Sequence, residues 1–365
     1  MIPNCTLTTA CFCLKTAHQG ARSLEETLDS TNMLMSIPIY LVIYGDSQTI
    51  PILREKRERH GLTNITIFHE VKADDLWSFQ FLDKVRENRE QFFPTRDERT
   101  SAETHLVTCN KFTFVLKTID ENPFQTGRFG WVDSFLGKDS IKICENYHPT
   151  TLPWILTNIT DKFHIQILGC CDKKYLAWEN KTEYYSAYRW VVCGGFFTCG
   201  KKIGIEILSR LNEIFVRSTQ AGFGHGEEMF YLEILEEFYD DIERSYGDYA
   251  QIWDNFIHLK NNYHYVYYFI LKKYMDRGYW REAYDCCRNI LSETENHILY
   301  IIPSLHMTIL LDYLIIIYHY KPKDFRSTMT YVEKKCFQNG ILLKEYNSEK
   351  WRIEWYIQSI KEVFG

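Results

Sequence analysis

The chain has 365 residues, 45% hydrophobic and 25% charged, proportions that suit one large globular domain or two ordinary ones. Its formal net charge of -6 leaves no basic surplus to neutralise phosphates, which argues against a general nucleic-acid binder. No apolar run approaches the roughly 18 residues of a membrane span, Ile309 to Tyr318 being the nearest, so no transmembrane segment is expected.

The opening MIPNCTLTTACFCL lacks the basic start of an export signal and reads as a first strand over residues 6–14. A cytoplasmic protein is therefore expected. The twelve cysteines are scattered without a CxxC pair, which predicts free thiols rather than a zinc site. The sequons at Asn4, Asn64, Asn158 and Asn180 then read as chance matches. Residues 21–37 have helical spacing. PIYLVIYGD, residues 38–46, is a continuous apolar run ended by Gly45-Asp46, the pattern of a buried parallel strand. A charged helix over 51–61 and a strand over 64–71 follow, then a polar helix and loop over 74–100. The spacing predicts one amphipathic helix from His105 to Asn122, a strand with its exit at FGWVDSFLG (129–137), and strands at 163–170 and 188–200. GFGHGEEM opens a helix that continues to about residue 242.

This alternation predicts an α/β protein, a Rossmann-type mixed sheet flanked by helices. Beyond about residue 255 the texture is helical only, giving an expected domain 1–254 and a helical domain 255–365. Within the latter, Tyr274, Gly278, Trp280 and Ala283 match the core of one tetratricopeptide-like hairpin, or simply a helical cap.

In such a sheet, ligands bind beyond the carboxyl ends of the strands. Thr8, Thr9 and Ala10, Asp46, and Asp133 fall at three such ends. Asp133 suits a hard cation, Mn²⁺ or Mg²⁺, which takes carboxylate oxygens and shares substrate phosphates, or else it caps a turn. Asp46 alone reads equally well as a cap. Glu227 and Glu228 are either dipole-stabilised carboxylates at a helix start or contain a general base for an acceptor hydroxyl. His225 reads as a metal ligand, a diphosphate contact or incidental. Arg22, Arg57 and Lys111 are candidates for a diphosphate, each alone being more often a surface residue. Gly194 and Gly195, inside an apolar strand, mark a bulge or close approach by an acceptor sugar.

TTACF, Arg22-Ser23, YLVIYGD, Arg57, Asn110-Lys111, the NPF at 122–124 and FGWVDS together resemble the bacterial HtrL/YibB-like family over roughly residues 5–250. That family is associated with GT-A-type glycosyltransferases of surface polysaccharide synthesis, with similar domains in glycosylation enzymes of large DNA viruses. The resemblance implies a GT-A-like sheet, a UDP- or GDP-sugar donor and a glycan acceptor. It places Asp133 at the metal-binding DxD motif, with Trp131 in the position of the first acid. It likens GHGEE to the acidic motif that supplies the base in inverting members, and Asp46 to the holder of nucleobase or ribose. Two other classes stay open. One is a sugar-nucleotide hydrolase or nucleotidyltransferase, although residues 8–23 lack the glycine-rich GxGTRxxP-like loop. The other is a non-catalytic interaction protein using its helical part.

Overall fold

The computed structural model describes residues 2–14, 24–91, 101–135, 150–223, 226–247, 264–296 and 301–364. The chain divides into two compact units, Met1–Ile257 and His258–Gly365.

The first unit is built on a seven-stranded sheet of order β3-β2-β1-β4-β6-β5-β7. Its strands are β1 (Cys5–Cys11), β2 (Tyr40–Gly45), β3 (Thr66–Glu70), β4 (Arg128–Val132), β5 (Phe163–Ile167), β6 (Val192–Gly200) and β7 (Ile242–Tyr246). The β3-β2-β1-β4 half is parallel, β6 runs antiparallel to both β4 and β5, and β7 is parallel to β5. Leu41, Val42, Ile43 and Tyr44 are all buried, so β2 is covered on both faces, as its unbroken apolar run requires. The mixed Rossmann-type sheet flanked by helices, followed by an all-helical region, is the architecture expected from the sequence.

The flanking helices are α1 (Leu24–Ser30), α2 (Asn32–Ser36), α3 (Ile50–Arg59), α4 (Leu82–Gln91), α5 (Ala102–Cys109), α6 (Lys111–Glu121), α7 (Thr151–Asn158), α8 (Lys181–Tyr185), α9 (Lys201–Gln220) and α10 (Tyr231–Glu237). Helix α6 packs on β1, β4 and α9, burying Phe112, Phe114, Val115 and Ile119. It ends where Asn122 adopts φ 36°, a left-handed C-cap.

Three expectations are corrected. The single helix over 105–122 is two, broken at Asn110, whose side-chain oxygen accepts a hydrogen bond from the Ser78 N–H at 3.2 Å. The break makes Lys111 the first residue of α6. The helix expected to run on to residue 242 stops at Glu237, and Ile242 begins edge strand β7. Residues 21–37 are not one helix, since Thr31 separates α1 from α2.

Pairing between β5 and β6 slips. Ile165 faces Phe197 while Ile167 faces Val192, so β6 carries surplus residues across Gly194 and Gly195. This irregularity releases Gly194's peptide groups from the ladder.

The second unit is helical: α11 (His264–Asp276), α12 (Trp280–Glu295), α13 (Pro303–Tyr320), α14 (Phe325–Gln338) and α15 (Gly340–Phe364). Helices α11 and α12 pack as a hairpin whose turn has Gly278 at φ 69°, with Ala283 fully buried. Among the described residues, no helix is long and apolar enough to cross a membrane.

Candidate functional site

The chain runs outward from β1 to β2 and β3, then returns to place β4 on the other side of β1. The carboxyl ends of β1 and β4 therefore flank a topological switch point, where an open α/β sheet leaves a crevice. Asp133 stands there, directly after β4, with its side chain 38% exposed. Its N–H continues the ladder by donating to the Gly195 carbonyl at 2.8 Å. Its Oδ1 accepts a hydrogen bond from the Trp131 indole at 2.6 Å. Trp131 itself is buried, its ring stacked on Phe114. Trp131 thus orients the Asp133 carboxylate.

Behind Asp133 lies a buried charge cluster. Lys111 Nζ is 2.5 Å from Glu227 Oε1, 3.0 Å from the Gly194 carbonyl and 3.8 Å from Asp133 Oδ1, and it lies over the Trp131 ring. A cation at a helix start opposes the helix dipole, so these acidic partners must hold it there. Burial alone would push the Lys111 pKa down; the charges of Glu227 and Asp133 overcome that and hold it above its ordinary value.

Glu228 is bound differently. Its Oε1 accepts the Gly194 N–H at 2.9 Å and its Oε2 accepts the Tyr188 hydroxyl at 2.7 Å. Burial, reinforced by the charge of Glu227, pushes its pKa up to about 8, against the pull of those two donors and of Lys111. The two adjacent acids therefore have separate partners: Glu227 faces an ammonium, and Glu228 faces neutral donors. A Cβ at Gly194 would sit 2.8 Å from Glu227 Oε1 and would push on the carboxylate that Lys111 holds. Gly226 is constrained similarly, since a Cβ would lie 3.0 Å from the Tyr188 ring.

A cavity of about 470 Å³ adjoins the ends of β2 and β3 beside α6, lined by Tyr44, Asp46, Glu70, Lys72, Asn110 and Phe114 among others. Tyr44 and Phe114 stack with centroids 4.3 Å apart, giving it an aromatic wall. A larger cavity, about 700 Å³, opens instead at the sheet's amino edge near Asn4, Arg128 and Lys201, with no tie to the buried acids.

The other expected residues fare variously. Asp46 lines the 470 Å³ cavity, but its carboxylate is engaged by the N–H groups of Cys13, Gln48 and Thr49. It ties the exit of β1 to the turn that leads into α3, whose N-cap is Thr49, so the structural reading of Asp46 is that of a turn residue. Thr8 is buried and donates to Thr118 Oγ1 at 2.9 Å, pinning β1 to α6 rather than meeting a ligand. Thr9 is buried too, its hydroxyl without a hydrogen-bond partner among the described residues. Ala10 is partly exposed beside them. Gly194 and Gly195 spend their peptide groups on Glu228, Lys111 and Asp133, which replaces the expected open backbone for an acceptor.

Arg57 is a correction. It is fully buried and donates to Thr66 Oγ1 and to the carbonyls of Met35, Ile37 and Ile39. These lie at the amino ends of β2 and β3, the edge opposite Asp133, so Arg57 cannot grip a diphosphate there. Arg22 and His225 lie outside the described residues. Tyr188 went unread in the sequence, because nothing in the run from Ser186 to Val191 marks a tyrosine that reaches back to Glu228.

Among the described residues, no group of three or more His, Cys, Asp or Glu is placed to hold a metal ion. Lys111 pairs with Glu227 and Glu228 binds Gly194 and Tyr188, which leaves Asp133, partly exposed, as the carboxylate of the cluster that reaches solvent. A divalent ion that keeps waters and ligand phosphates would find a single protein ligand there.

No curated protein matches the sequence. Among solved structures the chain is similar to the galactosyltransferase LgtC in complex with donor and acceptor sugar analogs, at 8% identity and TM-score 0.34, over 66% of this chain and 73% of that one. It is likewise similar to mouse xyloside xylosyltransferase 1 in its apo form, at 12% identity and TM-score 0.35, over 65% and 83%. The family model described as a bacterial protein of unknown function, HtrL_YibB, matches residues 6–220, which include all of β1 but Cys5, and β4, Lys111 and Asp133. The chain belongs to the HtrL/YibB family.

Proposed function

We propose that the chain is a glycosyltransferase that moves a sugar from a nucleotide-diphosphate donor, UDP- or GDP-linked, to a hydroxyl of a glycan acceptor. The observation that carries this reading is the placement of Glu228: a buried carboxyl held by the Gly194 N–H and the Tyr188 hydroxyl, next along β6 from the Gly195 carbonyl that binds Asp133, with burial raising its pKa. The resemblance of GHGEE to the base-supplying motif of inverting enzymes points the same way.

In this reading the donor's nucleoside occupies the 470 Å³ cavity against Tyr44 and Phe114, and its diphosphate lies toward Asp133. Glu228 takes the proton of the acceptor hydroxyl, whose oxygen bonds to the anomeric carbon. The bond from that carbon to the diphosphate breaks, its electron pair leaving on the phosphate oxygen, and the anomeric configuration inverts. Lys111 pairs with Glu227, whose charge, after burial, still helps hold the Glu228 pKa up. Asp133 would hold a Mn²⁺ or Mg²⁺ ion; when bound, the ion neutralises diphosphate charge.

The test is a panel of UDP- and GDP-sugars, each with and without Mn²⁺, scored by thermal shift and by slow donor hydrolysis. One donor is expected to raise the melting temperature by mass action. Its hydrolysis is expected to fall at least about 100-fold in Asp133→Ala and in Glu228→Ala. Equal hydrolysis by wild type and both folded variants defeats the proposal.

A further inference from the structure

Beside Glu228 the chain carries a large ring into solvent. Trp190 is 59% exposed, and its ring packs edge-on against Tyr188, centroids 5.4 Å apart. Tyr188 in turn donates its hydroxyl to Glu228 Oε2. The backbone here is fixed: the next residue, Val191, accepts the Leu168 N–H at 3.1 Å just before β6 begins. The Trp190 carbonyl also lies 3.1 Å from where a Cβ at Gly169 would stand. Among the described residues of this unit, the other exposed tryptophans have different neighbours, Trp77 packing on Phe81 and Phe215. Trp178 is covered by the Arg217 guanidinium, and Trp154 sits on the short helix α7.

An exposed indole on a rigid segment offers wide apolar contact at small entropic cost. A pyranose is its natural complement, with an apolar C–H face and hydroxyls directed around its rim. Stacked on Trp190, such a ring lies beside Tyr188, whose hydroxyl is bonded to Glu228. We propose that Trp190 is the platform for the acceptor sugar and that Tyr188 is a positioning residue setting the Glu228 carboxylate beneath it. The role as acceptor site rests on the transferase reading; the sugar binding itself does not.

The experiment is saturation-transfer NMR on the full chain with methyl glycosides of glucose, galactose, mannose and xylose. Wild type is expected to transfer saturation to the ring protons of at least one glycoside. Trp190→Ala should weaken that signal about five- to ten-fold, Trp190→Phe should keep most of it, and Trp154→Ala should leave it unchanged. An undiminished signal in Trp190→Ala, an equal loss in Trp154→Ala, or no signal from wild type overturns the platform. Donor hydrolysis by wild type separates the two claims. A Trp190-dependent signal without hydrolysis of any nucleotide sugar removes the transferase reading and leaves a sugar-binding residue. Hydrolysis without a Trp190-dependent signal removes the platform alone.

Discussion

Arg57 and Lys111 are both buried cations, one at the amino edge of the sheet and one at its carboxyl edge. Their surroundings differ in kind. Arg57 is satisfied by neutral oxygens, a threonine hydroxyl and three carbonyls, and burial lowers its pKa to about 10. Lys111 is held among carboxylates, which drive its pKa up despite burial. The fork of Arg57 binds one hydroxyl and three backbone carbonyls and so locks α3 to the start of β3 and the entry to β2. The cluster around Lys111 ends in a carboxylate that reaches solvent. A buried cation with only neutral partners acts as a strut, whereas one among acids, beside an exposed acid at a switch point, has the surroundings of the proposed site.

The largest expected effect comes from Lys111→Met. It leaves Glu227 buried and unpaired, which should cost about 3–5 kcal/mol in chemical denaturation and abolish donor hydrolysis. Adding Glu227→Gln should restore much of the stability and none of the activity. Arg57→Met should cost about 3 kcal/mol, since it strands several buried acceptors, yet leave hydrolysis per folded molecule within about two-fold of wild type. Similar activity losses in both variants would erase the distinction between strut and site.

Asp133→Asn should change stability by less than about 1 kcal/mol, because the side chain is partly exposed, while lowering hydrolysis sharply. Glu228→Gln tests the burial of the acid through pH. A carboxyl whose folded pKa is raised contributes stability below its unfolded value, about 4.3, and loses it as pH climbs toward about 8. The variant should therefore gain melting temperature over wild type at pH 9 and lose that advantage at pH 5. The smallest effect is that of Tyr188→Phe. It removes a donor to the charged form of Glu228 and should move the midpoint of the activity profile to higher pH.

Much of this was legible before any coordinates. The unbroken run before Gly45-Asp46, the strand ending at Asp133 and the paired acids after Gly226 all read from pattern alone. The role of Arg57 carried a signal in its spacing: Ile50, Leu53 and Arg57 share one buried stripe of α3, where a solvated arginine does not belong. Helix α9 was equally open to reading, with Ile207, Leu208, Leu211, Ile214 and Phe215 on one face. Strand β7 was not, because an edge strand with Glu243 and Arg244 shows no apolar alternation. The Lys111–Glu227 pair and the Tyr188–Glu228 bond were also beyond reach, since they join residues far apart in sequence through the irregular pairing around Gly194.

The most direct measurement is the rate of donor hydrolysis against pH, on wild type and Glu228→Gln, with the UDP- or GDP-sugar that most raises the melting temperature. The wild-type rate should climb through a midpoint near pH 8 and level off as Glu228 loses its proton, while the folded variant stays inactive throughout. A pH-independent rate, or a Glu228→Gln variant as active as wild type, would contradict the assignment of Glu228 as the base.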